Sequence, residues 1–228
     1  MRKVDLALSL TALALALPAS AQAGEVYAKA GFLGVGVGYA QGINERFTLR
    51  GDITTMGTYH HKGSTGKFDY DASLRNNQAM LYGDWFPFNS GFRLTAGLGV
   101  RDTSVKGHAL PKSNGQITVG DTRIGYDSDD RVNAKVKFPT FAPYFGIGWG
   151  HNAGQQRQPG WGFLADLGVT YGKPDVSFTV SPSVYAKLEA ASSGYAQQEI
   201  DKQKHKIQRS ADKFKFFPSA YVGVSYAF

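Results

Sequence analysis

The segment FRLTAGLGVR at residues 92–101 alternates strictly between two classes of side chain. One class is apolar and consists of Phe92, Leu94, Ala96, Leu98 and Val100. The other is polar or lacks a side chain and consists of Arg93, Thr95, Gly97, Gly99 and Arg101. Because successive side chains of a strand point to opposite faces, this alternation predicts a β-strand with one apolar and one polar face.

The preceding segment has the same pattern and forms the clearest hairpin with it. Ala79, Leu81 and Trp85 alternate with Gln78, Tyr82 and Asp84, and the turn-like residues 87–91 connect the two segments. Similar stretches recur at residues 33–39, 46–53, 145–150, 161–172 and 220–228. The longer of them reach about the 9 to 11 residues that a tilted strand needs to cross a bilayer. A polar face is excluded from lipid, so it must face a lumen.

Aromatic residues at the strand ends favour a membrane barrel over a soluble sandwich, which would alternate equally well. The clusters are Trp85, Phe86, Phe88 and Phe92; Phe138, Phe141 and Tyr144; and Phe214, Phe216 and Phe217. Aromatic girdles at both membrane interfaces are typical of transmembrane barrels. The last segment ends on Phe228, which resembles the C-terminal signal that the barrel-assembly machinery reads in outer-membrane proteins.

These patterns predict an all-β chain that forms a small, closed, antiparallel transmembrane barrel. Eight long strands are countable, and a split of residues 135–150 around Pro139 and Pro143 would raise the number to as many as ten. Barrels of this kind have an even strand number, with both chain ends on the periplasmic side.

The first 23 residues have the layout of a secretory signal peptide. Arg2 and Lys3 precede an apolar run at residues 6–17, and small residues allow cleavage after Ala23 or, alternatively, after Ala21. Residues 24–228 are therefore predicted to be the barrel domain. Export agrees with the absence of cysteine and predicts integration into the bacterial outer membrane.

Two long insertions interrupt the strands. Residues 107–131 are predicted to be a long loop with a weak strand-like piece at 116–119, and residues 189–212 contain a helical stretch near 195–209. The helix is either a solvated loop element or a docking element for a partner.

The net charge of +7 is spread along the chain, and the sequence contains no basic run. Because an exported protein also leaves the compartment that contains DNA, a nucleic-acid partner is not expected. Surface lysines and arginines are instead suited to the phosphate-rich lipopolysaccharide leaflet, or they form a solvated surface without a particular partner.

Several motifs carry a resemblance to a known family. They are DWFPF at 84–88, FAPYFGIGW at 141–149, GWGF at 160–163, DLGV at 166–169, GKPDV at 172–176 and DKFKFFP at 212–218. In these motifs the chain resembles the CarO family of small outer-membrane proteins, also called ornithine uptake porins. The resemblance implies a monomeric eight-stranded barrel that admits basic amino acids and carbapenem antibiotics. Its motifs are structural, and no family binding residue is carried over.

Charged residues on the predicted inner faces are the candidate site. They are Arg46, Arg50, Asp52, Asp84, Arg93, Arg101 and Asp166. In a narrow lumen they either form a salt-bridged core that plugs the barrel or line a polar track for a zwitterionic solute. A loop cluster of Asp127, Asp129 and Asp130 is a second candidate, either for a basic solute or as an Asp-rich turn.

No histidine lies at a recognisable spacing from a serine or an acid on a predicted strand, so no enzymatic activity, cofactor or metal site is expected. Two functions remain. One is a porin for small solutes such as basic amino acids; the other is a plugged structural or surface-interaction barrel without transport activity.

Overall fold

The computed structural model describes residues 24–64, 69–88, 90–110, 115–127, 130–155 and 158–228. The predicted signal peptide, residues 1–23, lies outside the described residues. None of the helices within these ranges is long and apolar enough to cross a membrane.

Strands dominate the described chain. They are β1 (Gly24–Gly31), β2 (Gly34–Asn44), β3 (Phe47–Ser64), β4 (Asp69–Trp85), β5 (Phe92–Leu110), β6 (Gly115–Val119), β7 (Thr122–Tyr126), β8 (Val132–Lys137), β9 (Phe141–Trp149), β10 (Gly160–Tyr171), β11 (Asp175–Val180) and β12 (Phe216–Ala227). The helices are α1 (Pro182–Ala191) and α2 (Ala196–Ala211), and short 3-10 turns cover Ala153–Gln155 and Asp212–Phe214.

Eight of these strands close into a ring of antiparallel neighbours, in the order β1, β2, β3, β4, β5, β9, β10 and β12. The ends of the chain meet where β1 pairs with β12. The first half of β5 pairs with β9 and closes the barrel, whereas its second half pairs with β8. The prediction of an all-β barrel is confirmed.

The ambiguity between eight and ten strands has a structural origin. The chain breaks between β8 and β9, at residues 138–140, so Pro139 lies in the break and Pro143 within β9. β8 pairs with the second half of β5, and β11 pairs with β8, so that these strands extend the wall beyond the ring. The ring has eight strands and the whole sheet has ten.

The two ends of the barrel differ. Gly24 and Phe228 lie at one end, here called the terminal end, together with the connections β2–β3, β4–β5 and β9–β10. The opposite loop end carries the long β3–β4 hairpin and both insertions. One insertion, between β5 and β9, contains β6, β7 and β8; the other, between β10 and β12, contains β11, α1 and α2.

The outer wall of the barrel is apolar along each strand of the ring. Large exposed side chains include Val35, Val37, Leu49, Ile53, Leu81, Leu98, Phe145, Ile147, Leu167 and Val222. Exposed aromatic residues lie towards both ends, with Trp149, Trp161 and Tyr226 at the terminal end and Phe141, Tyr171 and Phe216 at the loop end. A strand that runs from Trp161 to Tyr171 at a tilt of about 40° spans about 25 Å along the barrel axis.

The insertions form a small folded unit, here called the cap, which consists of β6, β7, α1 and α2. Its buried core contains Val119, Ile124, Tyr126, Val184, Leu188, Ala196 and Ile200. The predicted helix near 195–209 is confirmed as α2. The predicted loop at 107–131 was wrong in part, because residues 115–126 form the hairpin β6–β7. Neither hairpin nor helix has a strong apolar face alone; each is covered by the other insertion.

Candidate functional site

Four charged side chains meet inside the barrel, near the terminal end. Arg50 Nε donates to Asp84 Oδ2 at 2.6 Å, and Arg50 Nη2 donates to Asp166 Oδ1 at 3.0 Å. Arg93 Nη1 donates to Asp166 Oδ1 at 2.9 Å and lies 3.4 Å from Asp84 Oδ1. All four are buried, and each carboxylate contacts both guanidinium groups. We call Arg50, Asp84, Arg93 and Asp166 the charge quartet.

Strand register explains why the quartet assembles. Arg50, Asp84, Arg93 and Asp166 lie on β3, β4, β5 and β10, respectively. Gly148 of β9 is the register partner of both Arg93 and Asp166. A Cβ at position 148 would lie 2.6 Å from Arg93 Cζ, so glycine leaves the space that the guanidinium group occupies.

A second charged group lies closer to the loop end. Lys29 Nζ donates to Asp52 Oδ2 at 2.5 Å, and Tyr27 OH donates to the same oxygen at 2.9 Å. Lys29 Nζ also lies 4.5 Å from the centre of the Tyr221 ring. Arg50 Cζ lies 4.2 Å from the centre of the Tyr82 ring, so aromatic rings separate and cover the two charged groups.

Side chains close the barrel towards both ends. At the loop end, Asn76 Nδ2 donates to the Leu33 carbonyl at 2.9 Å, and Arg101 Nε donates to the Pro139 carbonyl at 3.1 Å. At the terminal end, the β9–β10 connection turns into the barrel at Gly150 and His151, which both have positive φ. The buried His151 Nδ1 is hydrogen-bonded to Glu25 Oε1.

Little space remains between the charge quartet and the Lys29–Asp52 pair. A cavity of about 10 Å³, lined by residues that include Lys29, Arg50, Tyr144 and Asp166, lies between the charged groups. A space of this size holds about one water molecule. A second cavity, of about 950 Å³, lies closer to the loop end. It is lined by the outward-facing Val35, Val37 and Ile53 and also by the inner side chains Lys29, Thr54, Gln78 and Arg101.

The structure places most of the predicted lumen residues inside the barrel, with one correction. Arg50, Asp52, Asp84, Arg93 and Asp166 are buried and ion-paired, and Arg101 is buried beneath the loop end against a carbonyl group. Placing Arg46 on the inner face was wrong. It is exposed in the β2–β3 turn, where its backbone N–H donates to Asn44 Oδ1, and β3 begins only at Phe47.

Sequence reasoning missed the inner residues of β1. Glu25, Tyr27 and Lys29 alternate with the outward-facing Val26 and Ala28, a signal that was present but lay before the first predicted strand. His151 has no such signal, because it reaches the lumen from a connection between strands.

The predicted acidic loop cluster is part of the cap and is paired internally. Lys187 Nζ donates to Asp127 Oδ2 and to Asp130 Oδ2, each at 2.6 Å. Asp130 is buried, whereas Asp127 is exposed, and Asp129 lies outside the described residues. A basic solute at this cluster would have to displace Lys187.

Lysines of the cap keep two nearby carboxylates, those of Asp130 and Asp121, in the ionised form. Burial alone would raise the pKa of Asp130, but hydrogen bonds from Lys187 and from the Asp127 backbone N–H outweigh it and lower that pKa. Hydrogen bonds from Lys206 and Lys202 lower the pKa of Asp121. The carboxylates therefore attach the hairpin β6–β7 and the segment after it to α1 and α2 only while they are ionised.

We expect the cap to loosen in acid before the barrel does. Since the pKa values of Asp121 and Asp130 are lowered by folding, their contribution is present above the ordinary carboxyl pKa of about 4 and is lost as pH falls through the lowered values. Hydrogen-exchange protection of α1, α2 and β7, corrected for intrinsic rates, should fall below about pH 4, while β10 and β12 stay protected.

The variant Lys187→Met should reduce this protection already at neutral pH, whereas the exposed Lys204→Met should not. Equal protection of the cap at neutral and acidic pH would contradict the proposed role of these ion pairs.

Within the described ranges, no group of three or more histidine and acidic side chains is arranged to hold a metal ion. The absence of an enzymatic activity, a cofactor or a metal remains an expectation.

Comparison with known proteins identifies the fold. Compared by sequence, the chain matches no protein-family model and no curated protein. The crystal structure of Acinetobacter baumannii CarO2 is similar to it with a TM-score of 0.61 at 21% identity, over 91% of this chain and 98% of that one. For the crystal structure of Acinetobacter baumannii CarO the TM-score is 0.55 at 19% identity, with coverages of 90% and 97%. Because these similarities extend over nearly the whole length of both chains, this chain has the barrel fold of the CarO structures.

Proposed function

We propose that this protein is an integral barrel of the bacterial outer membrane whose lumen is closed, and that it acts as a structural and surface-interaction protein of the envelope. The charge quartet carries this proposal. Two arginines and two aspartates from four strands pair directly across the interior, where a channel would keep them in contact with water.

The outer wall supports the membrane location. Its apolar band lies between two levels of exposed aromatic residues, and the span of about 25 Å matches the lipid-facing band of outer-membrane barrels. The fold shared with the CarO structures supports the same location. Short connections and the chain ends would then face the periplasm, and the cap would face the exterior.

The closed interior supports a role other than passive transport. A solute that crossed the barrel would have to separate the quartet, displace Lys29 from Asp52 and pass His151 and Arg101 at the two ends. Each separated pair leaves charges without partners in a confined space, which costs about 3 to 5 kcal/mol when one partner of a buried pair is lost. The cap, by contrast, presents exposed polar helices to the outside.

Uptake of basic amino acids is the second candidate function, and one observation favours it. The interior holds carboxylates and cations side by side, a pattern that could accept the amino and carboxyl groups of a zwitterion such as ornithine. Transport of this kind requires that the solute replaces the internal ion pairs.

Flux through the reconstituted protein distinguishes the two functions. Folded protein in planar bilayers should show no conductance above that of protein-free bilayers, and liposomes that contain it should take up ornithine no faster than empty ones. A porin with an open lumen, reconstituted in the same way, is the control for insertion. Ornithine uptake above the empty liposomes would reject the closed barrel in favour of transport.

A further inference from the structure

The second half of β5 forms an extension of the barrel wall together with β8 and β11, and the two faces of this extension differ. One face packs against the core of the cap through Ala109, Val132, Phe178 and Val180. Because side chains alternate along a strand, the neighbouring residues of all three strands point the other way. This second face is polar and continues the outer wall of the barrel.

Three lysines lie together on this outer face. Lys106 of β5 and Lys135 of β8 are direct register partners, and Lys137 follows two residues along β8. Directly opposed residues on one face of an antiparallel pair have Cβ atoms about 5 Å apart. Serine hydroxyls surround the lysines, since Ser73 and Ser177 are the outer partners of Lys106 and Lys135, and Ser104 is the partner of Lys137. We call Lys106, Lys135 and Lys137 the lysine face.

The lysine face differs from several other cationic positions of the loop end, which form ion pairs. Arg75 is 3.1 Å from Asp102, and Lys187, Lys202 and Lys206 all form ion pairs in the cap. For Lys106, Lys135 and Lys137 no carboxylate of the described chain lies within ion-pair distance; Asp175 is the register partner of Lys137 but does not reach it. Like charges directly opposed across strands destabilise a sheet, so this arrangement favours an anion between them.

The position of the lysine face relative to the apolar band indicates the source of that anion. On the same side of β5, the exposed Leu98 and Val100 precede Asp102, Ser104 and Lys106. Val100 is paired with the exposed aromatic Phe141, which lies at the edge of the band. Lys137 is level with Ser104, four residues beyond Val100, which corresponds to about 10 Å along the barrel axis; Lys106 and Lys135 lie two residues further, at about 15 Å. The lysines therefore lie beyond the apolar band, on the side where the headgroups of the outer leaflet are.

We propose that the lysine face binds the phosphate of a phosphorylated glycolipid headgroup in the outer leaflet. The three ammonium groups supply positive charge around the phosphate, and the hydroxyls of the half-buried Ser73 and the exposed Ser177 donate further hydrogen bonds to its oxygens. The site rests on the proposed membrane orientation but does not depend on whether the lumen is closed.

Native mass spectrometry of the full mature chain in detergent, titrated with bis-phosphorylated lipid A, tests this site. The triple variant Lys106→Gln, Lys135→Gln, Lys137→Gln should bind about a hundredfold more weakly, from roughly fivefold for each lysine near an anionic surface. The matched control Arg123→Gln, Lys204→Gln, Arg209→Gln removes the same charge from the cap and should bind like the parent. Without lipid, the lysine variant should unfold no earlier than the parent.

Two further probes identify the source of the phosphate. Dephosphorylated lipid A should bind the parent as weakly as lipid A binds the lysine variant, and inorganic phosphate alone should not compete. Equal loss in both triple variants, equal binding of the dephosphorylated lipid, or effective competition by inorganic phosphate would each overturn the lipid site. Ornithine flux with an intact lysine-dependent lipid A affinity would instead reject only the closed lumen.

Discussion

The variant Asp84→Asn should lower the free energy of unfolding by about 3 to 5 kcal/mol. Asp84 is fully buried, accepts a hydrogen bond from Arg50 at 2.6 Å and another from Thr95 at 2.6 Å, and lies 3.4 Å from Arg93. An asparagine preserves the shape of the side chain but removes its charge. Two guanidinium groups would then share the single carboxylate of Asp166, and one positive charge would be left uncompensated in the interior.

The matched control for this variant is Asp102→Asn. Asp102 pairs with Arg75 at 3.1 Å, but both side chains are about half exposed, at 50% and 54%. Such surface pairs contribute about 0 to 1 kcal/mol, so the control should unfold nearly like the parent. Reversible urea unfolding in lipid vesicles measures both variants. If Asp84→Asn kept the parental stability and instead changed ornithine flux, the quartet would be a solute pathway.

The second large effect is expected at the outer wall, where Leu167→Arg should destabilise the barrel by about 2 to 4 kcal/mol in lipid. Leu167 lies near the middle of β10, between the outward-facing Trp161 and Tyr171, and the residue is 56% exposed. An arginine at this level would lie near the midplane of the bilayer, far from either interface. Its charge would have to leave water or distort the surrounding lipid.

Tyr195→Arg provides the control with the same exposure, 56%, in the cap outside the membrane. It should change the free energy of unfolding by less than about 0.5 kcal/mol, as surface substitutions usually do. Equal stability of Leu167→Arg and Tyr195→Arg in lipid vesicles would contradict the assignment of the outer wall to a membrane.

The strands of the barrel were predicted well because the alternation of apolar and polar residues within each strand shows which of its faces contacts lipid. The alternation of Leu94, Leu98 and Val100 with Arg93, Thr95 and Arg101 needs no knowledge of any other strand. The prediction failed where the alternation was extended beyond the end of a strand. Arg46 was assigned to the lumen by extending the β3 alternation into the turn that precedes it.

Contacts between distant segments were beyond the reach of the local pattern. Arg50 and Asp166 are 116 positions apart, and their pairing required closure of the ring between β5 and β9. The core of the cap likewise unites a hairpin from one insertion with helices from the other, neither of which has enough apolar surface to fold alone.

The sequence alone thus determined the barrel class, the lipid-facing side of most ring strands and the presence of charges on their inner sides, since these follow from a period of two along one strand. Tertiary structure decided what those charges do. Only the closed ring shows that Arg50, Asp84, Arg93 and Asp166 bind one another, and only the β5–β8 register brings Lys106 to Lys135. Distances across a barrel depend on ring closure and shear, which no single strand encodes.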